Sequence, residues 1–79
     1  MKELKPLVNL IEARKARNWT QDVLAKKAKC SRSLLSNIER GAVVPSLSVA
    51  FRIAKVLDST IEHLFFNRNA RKTSEKKTA

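Results

Sequence analysis

Apolar residues recur three and four positions apart along most of the chain, as they do on one face of an α-helix. The first run contains Leu7, Leu10 and Ile11. Pro6 is expected to start this helix, because its φ angle is fixed near the helical value. Asn18 is expected to end it, since asparagine tolerates the left-handed conformation found at helix C-termini. No segment shows the apolar–polar alternation of a half-buried strand.

Four further helices are indicated by hydroxyl residues, which accept hydrogen bonds from the free N–H groups at a helix N-terminus. The candidate N-caps are Thr20, Ser31, Ser46 and Thr60. The helices that they begin are expected to end near Ala28, Arg40, Leu57 and Phe66. Gly41 is the stop signal for the helix that begins after Ser31. The pattern therefore predicts an all-α domain of five short helices.

Residues 20–40 carry the most specific spacing, that of a helix-turn-helix: two short helices joined by a turn of about three residues. The apolar positions that would face inward are Leu24, Ala28, Cys30, Leu35 and Ile38. The opposite face of the second helix carries Arg32, Ser33, Ser36 and Asn37. A helix that enters the major groove of DNA needs a slim, polar outer face of this kind.

The charge of the chain indicates a polyanionic partner. The sequence has 17 Lys and Arg against 7 Asp and Glu, a formal net charge of +10. On a small domain such an excess favours nucleic acid. Residues 67–79 hold five basic residues, one acidic residue and no large apolar residue. We expect residues 1–66 to form the folded DNA-binding domain and residues 67–79 a disordered basic tail, which either solubilises the protein or holds phosphates loosely.

Length and composition exclude several other classes. Seventy-nine residues are too few for a full core plus a catalytic cleft, so no enzyme is expected. One Cys and one His cannot form a disulfide framework or a zinc site of those residues alone. Cys30 is expected to be a small inward apolar residue rather than a catalytic partner of His63. No membrane span or signal peptide is evident, so a cytoplasmic protein without cofactor, metal or small-molecule ligand is expected.

The sequence Thr20-Gln21-Asp22-Val23-Leu24-Ala25 resembles the opening of the helix-turn-helix in the lambda-repressor/Cro-like family, also called the XRE family. Residues 31–33, 38–41, 45–47 and 53–57 match further motifs of this family in the same order. The resemblance covers about residues 7–66. It implies a compact fold of five α-helices and a sequence-specific transcriptional regulator, mostly dimeric, that binds double-stranded DNA.

The resemblance also implies roles for individual residues. Arg14 and Glu39 match an ion pair that is buried or half-buried in the family. Gln21 matches a residue that binds a DNA phosphate, which suits the positive N-terminus of a helix. Base-reading positions are matched by Arg32, Ser33 and Asn37; arginine can pair with guanine and asparagine with adenine. Positions near the DNA backbone or groove edge are matched by Ser31, Ser36 and Arg40.

Two positions depart from the family pattern, and a third residue is unusual for its place on the groove face. Lys29 replaces the usual glycine of the turn and is expected to take a positive φ at a cost of about 1 kcal/mol. Val23 replaces the acidic residue that would complete a capping box with Thr20. Leu34 lies on the groove face, where it either touches a thymine methyl group or packs against a neighbouring turn.

A symmetric homodimer on a palindromic operator is expected, joined through the fifth helix and the turn before it by Ile61, Phe65 and Phe66. Two adjacent aromatic residues cannot both point inward, so one of the phenylalanines should close the core and the other should be exposed or covered by a partner. An antitoxin-like or coactivator-like module that uses the same fold to hold another protein is the alternative function.

Overall fold

The computed structural model describes residues 4–66, and within that range it contains helices and no strand. The helices are α1 (Val8–Ala16), α2 (Gln21–Ala28), α3 (Arg32–Arg40), α4 (Leu47–Val56) and α5 (Glu62–Phe66), the last wound as a short π-helix. The predicted all-α, five-helix fold is confirmed. The predicted tail, residues 67–79, lies outside the described residues.

Each predicted N-cap accepts a hydrogen bond from the backbone N–H three residues further along the chain, at 3.0–3.2 Å. The four capping residues are Thr20, Ser31, Ser46 and Thr60. At the start of α2 the Thr20 hydroxyl binds the N–H of Val23 even though no acidic side chain completes a capping box. The caps therefore begin four of the five helices where the sequence indicates.

The start of α1 differs from the prediction. Pro6 does not open the helix; Leu7 is the N-cap residue, with a non-helical backbone, and the first helical residue is Val8. The Leu7 N–H donates to the carbonyl of Glu39 at 2.9 Å. This bond to the end of α3 holds the preceding segment outside the helix, because a distant contact outweighs the local preference of proline.

Three left-handed backbone conformations occur at positions predicted from the sequence, and a fourth, at Asp58 with a φ of 54°, was predicted only as a turn. Asn18 has a φ of 59° after α1, and Lys29 has a φ of 60° between α2 and α3. Gly41 ends α3 with a φ of 84°. A Cβ at Gly41 would collide with the backbone carbonyl of Lys5, so glycine is needed there both for its φ and for the close approach of the N-terminal segment.

The core lies between all five helices, each of which contributes at least one of the largest fully buried side chains: Leu10, Leu24, Leu35, Ile38, Ile53 and Leu64. Helix α2 packs on α3 and α4, and α5 packs on α1. Small residues on α2 and α4, Ala25, Ala28, Ala50 and Ala54, are also buried. They let the two helices approach closely, so α2 is held firmly between α3 and α4.

Trp19, the residue before the α2 cap, is half-buried and packs against this core. The Arg17 guanidinium lies 5.3 Å and the Lys27 ammonium 5.0 Å from the centre of its ring. Both distances suit a cation–π contact, so the indole connects the end of α1 to α2.

Candidate nucleic-acid interface

The outer face of α3 is polar and open to solvent. Ser31, Arg32, Ser33 and Arg40 are exposed, whereas Ser36 and Asn37 are half-buried. Leu35 and Ile38 are fully buried on the opposite side of the helix. Positions 32, 33, 36, 37 and 40 share one face at the 3.6-residue period. The structure therefore brings the five candidate α3 residues onto one face, and Ser31 precedes them as the exposed N-cap of the helix.

Leu34 lies at the edge of this surface. It is half-buried and packs against the core, which agrees with the second of the two roles expected for it, packing within the domain against a neighbouring turn. The centre of the exposed face is left to polar side chains.

Asn37 and Arg40 interact on the exposed face of α3. Arg40 Nη1 donates to Asn37 Oδ1 at 3.1 Å. The contact fixes the orientation of the asparagine amide, whose nitrogen keeps two hydrogens and whose oxygen keeps a second lone pair. This pair was not predicted from the sequence, although a spacing of three residues on a helix is a signal for it.

Arg14 of α1 and Glu39 of α3 form a bidentate ion pair in the interior. Arg14 Nε donates to Glu39 Oε2 at 2.7 Å, and Arg14 Nη2 donates to Glu39 Oε1 at 3.1 Å. Glu39 is 2% exposed and Arg14 is 9% exposed. The remaining terminal nitrogen of Arg14 donates to the carbonyl of Trp19 at 2.9 Å. The pair therefore connects α1, α3 and the residue that precedes α2.

Gln21, the first residue of α2, joins the same network. Its amide nitrogen donates to Glu39 Oε1 at 2.9 Å. This contact was missed by sequence reasoning, because no local spacing connects residues 21 and 39. A side-chain amide nitrogen carries two hydrogens, so the bond leaves one for a further acceptor. The Glu39 carboxylate thus holds the Gln21 side chain in place while burying its own charge among three donors.

The start of α2 has the chemistry of an anion site. The first N–H groups of a helix have no carbonyl partner within the helix, and the helix dipole adds positive potential there. Gln21 and Arg40 line one shallow hollow of about 380 Å³, whose other lining residues are Leu4, Pro6, Ile11 and Glu39. Two residues that the sequence assigned to phosphate or groove-edge contacts are therefore neighbours on one side of the molecule.

A second, apolar surface lies on α4 and α5. Leu47, Phe51 and Phe66 are 75%, 57% and 69% exposed, and together with Ile61 they line one hollow. We call these four residues the α4–α5 face. Phe65 is buried in the core and adds no exposed surface, whereas Phe66 is the exposed member of the aromatic pair.

Leu47 and Phe51 were not singled out from the sequence. Their separation by four residues on α4 is a signal that could have found them.

Among residues 4–66, no helix has the length and apolar character needed to cross a membrane.

Comparison with known proteins places this geometry among DNA-binding regulators. A family profile described as helix-turn-helix matches residues 10–64. An uncharacterized HTH-type transcriptional regulator of Methanocaldococcus jannaschii is 48% identical over 48 residues, which cover 61% of this chain and 73% of the relative. An uncharacterized HTH-type transcriptional regulator of Archaeoglobus fulgidus is 41% identical over 54 residues, covering 68% and 77%.

A solved structure is similar over most of its length. The restriction-modification controller protein C.AhdI from Aeromonas hydrophila superposes with a TM-score of 0.67 at 33% sequence identity. The match covers 72% of this chain and 86% of that protein. The five-helix arrangement is therefore shared with a protein whose name describes control of a restriction–modification system.

Proposed function

Because the chain belongs to the XRE-type (lambda-repressor/Cro-like) helix-turn-helix family, we propose that it occupies a palindromic operator as a homodimer and regulates transcription there. The observation that carries this proposal is the exposed polar face of α3 beside the start of α2, where Gln21 and Arg40 share a hollow. Similarity to a restriction-modification controller supports a regulatory role.

Base reading is assigned to Arg32, Ser33 and Asn37. Arg32 is exposed in the first turn of α3 and has both the reach and the two-pronged donor geometry to pair with guanine O6 and N7. Asn37, oriented by Arg40, offers an amide suited to adenine. Ser31, Ser36 and Arg40 flank these residues and are assigned to the DNA backbone or groove edge.

Gln21 is assigned to a DNA phosphate. The second amide hydrogen of Gln21 and the free N–H groups of the first turn of α2 can donate hydrogen bonds to the oxygens of one DNA phosphate. Its bond to Glu39 restricts the side chain before DNA arrives, which lowers the entropy lost on binding. Such a contact sets the position of the protein on the duplex and carries no sequence information directly.

The homodimer is assigned to the α4–α5 face. One recognition helix reads only a few base pairs, which gives too little specificity in a genome. Two copies related by a twofold axis would read two half-sites about 34 Å apart, one turn of DNA. Leu47, Phe51 and Phe66 expose apolar side chains on a single surface, and covering such a surface is favourable.

The roles assigned to Arg32 and Gln21 predict that their alanine variants lose DNA binding in different ways. Arg32→Ala should weaken binding to the preferred duplex by about 1–3 kcal/mol and relax preference at one base pair per half-site. Gln21→Ala should weaken binding to all duplexes about equally. Selection of bound duplexes from a random pool gives the preferred DNA sequence. Titrations with duplexes that differ from it at a single base pair then give the base-preference profile of each protein variant. Lys15→Ala is the control, since Lys15 is an exposed cation on α1.

The roles would be wrong if Arg32→Ala left the preference profile unchanged while Gln21→Ala altered it. Retention of full affinity and preference by both mutants would show that α3 is not the reading element. If the unaltered protein bound no duplex, a protein-interaction module that uses the exposed α4–α5 face to bind another protein would become the better description.

The dimer is tested at Phe66. Phe66→Asp places a charge on the α4–α5 face and should yield monomers with weakened operator binding and a folded domain. Val8→Asp is the matched control, because Val8 is 55% exposed on α1 and receives the same substitution. Sedimentation velocity at tens of micromolar compares the two. A monomer for the unaltered protein under these conditions contradicts dimerisation in the absence of DNA.

A further inference from the structure

The turn between α2 and α3 contains a strained residue. Lys29 adopts the left-handed conformation, with φ 60° and ψ 47°, which a side chain with a Cβ disfavours. The N–H groups of Lys29 and Cys30 close the end of α2 by donating to the carbonyls of Lys26 and Ala25, at 3.2 and 2.9 Å. These bonds leave the carbonyls of Ala28 and Lys29, at the turn itself, to be satisfied from outside the helix.

Arg52 of α4 supplies that contact. Its Nε donates to the Ala28 carbonyl at 2.8 Å, and its Nη2 lies 3.4 Å from the Lys29 carbonyl. Its Nη1 donates to the Ser48 hydroxyl one turn earlier on α4, at 2.7 Å. The guanidinium is thus fixed on its own helix and bonded to both residues where α2 ends. A cation at this place is also favoured by the negative end of the α2 dipole.

The turn decides whether two DNA contacts can be made together. Gln21 lies at the start of α2, and the base-reading residues lie on α3. A single DNA duplex can therefore contact both only when the two helices lie at one particular angle to each other. Binding sites lose affinity when supporting contacts let their groups drift by a fraction of an ångström or 10–20°. The α2–α3 angle depends on the conformation at Lys29, and Arg52 contacts the carbonyls of the two peptide groups that flank the Lys29 Cα.

We propose that Arg52 is a positioning residue for DNA recognition: by binding the Ala28 and Lys29 carbonyls it holds the strained turn, and with it the orientation of α3. This role rests on the proposed function and adds to it a residue outside the helix-turn-helix. The competing role is a direct contact between the Arg52 guanidinium and a DNA phosphate. Removing a phosphate contact lowers the slope of log affinity against log salt by about one, whereas loss of positioning leaves that slope unchanged.

The experiment compares Arg52→Gln with the double variant Lys29→Gly/Arg52→Gln. Ser48→Ala is the matched control, since it removes a partner of Arg52 but neither carbonyl contact. Affinity for the selected duplex is measured across a salt series, at a temperature where circular dichroism shows each variant folded. Amide hydrogen exchange at Cys30 in the free protein reports the turn without DNA.

Arg52→Gln is expected to bind about tenfold more weakly at every salt concentration, with an unchanged slope, as fits the loss of charged hydrogen bonds. Its Cys30 amide should exchange faster. Lys29→Gly should restore most of the affinity in the double variant, because glycine adopts the left-handed conformation without strain. Ser48→Ala should bind nearly as the unaltered protein does.

Three results would overturn the positioning role. A salt slope lowered by about one in Arg52→Gln would indicate a phosphate contact. Unchanged affinity and exchange in folded Arg52→Gln would indicate that the turn holds without it. Failure of Lys29→Gly to restore any affinity would separate Arg52 from the turn. If the unaltered protein binds no duplex, the proposed function itself is refuted. That outcome differs from one in which the unaltered protein binds normally and Arg52→Gln binds equally well.

Discussion

Glu39→Ala is expected to destabilise the protein severely. The Glu39 carboxylate is 2% exposed and accepts three hydrogen bonds, two from Arg14 and one from Gln21. Its removal leaves the Arg14 guanidinium, itself only 9% exposed, without its counter-charge. Breaking a buried pair from one side costs about 3–5 kcal/mol. A domain of this size has a total stability of about 4–12 kcal/mol, so the loss is a large fraction of the whole.

Thermal unfolding followed by circular dichroism measures the effect. At about 4–8 °C per kcal/mol for a domain of this length, the melting temperature should fall by at least about 12 °C. Lys26→Ala is the control, because Lys26 and Asp22 form an exposed pair at 3.8 Å, with side chains 78% and 59% exposed. Exposed pairs one helical turn apart contribute only about 0.3–0.5 kcal/mol.

A double-mutant cycle with Arg14→Ala isolates the pair. The two single variants should each be strongly destabilised, and the double variant should lose far less than their sum, because it leaves no buried charge behind. A loss of about 1 kcal/mol or less for Glu39→Ala would refute the reasoning, since it would place the pair in contact with water. Additive losses would show that the two side chains stabilise the fold independently.

Two further predictions concern the tail and the thiol. Deleting residues 68–79 should weaken binding to all duplexes alike and flatten the salt dependence, because basic residues without apolar anchors neutralise phosphates only; a changed rank order of preferred sequences contradicts this. Burial raises the pKa of the Cys30 thiol, an effect partly opposed by the Arg52 charge. Less thiolate is then present at pH 8, so iodoacetamide should alkylate folded Cys30 more slowly than urea-unfolded Cys30; equal rates contradict this.

Local rules account for most of the fold. Some features depend only on residues a few positions apart: hydroxyl caps, helical apolar spacing, and the left-handed conformations at Asn18 and Gly41. The sequence therefore predicts four of the five helix starts. The start of α1 is the exception. It is set by the bond between the Leu7 N–H and the Glu39 carbonyl, a contact across 32 residues that no local pattern contains.

The candidate site is less accessible to sequence reasoning. The 3.6-residue period is enough to place the polar residues of α3 on one face. Arg14 and Glu39, 25 residues apart, could be connected only through the family resemblance. The bond from Gln21 to Glu39 and the contacts of Arg52 join separate helices, and their partners depend on how those helices pack. The period also could not decide which of Phe65 and Phe66 faces the core.

Trp19 gives the protein an optical reporter of its own. It is the single tryptophan of a sequence without tyrosine, so near-ultraviolet absorption and emission are dominated by one indole. That indole lies close to two cations, Arg17 and Lys27, and the backbone carbonyl of Trp19 accepts a hydrogen bond from Arg14, the partner of Glu39. Its emission therefore arises beside the junction of α1, α2 and α3. An unlabelled sample can then be followed by fluorescence through both unfolding and duplex titration, without an attached dye that would disturb so small a surface.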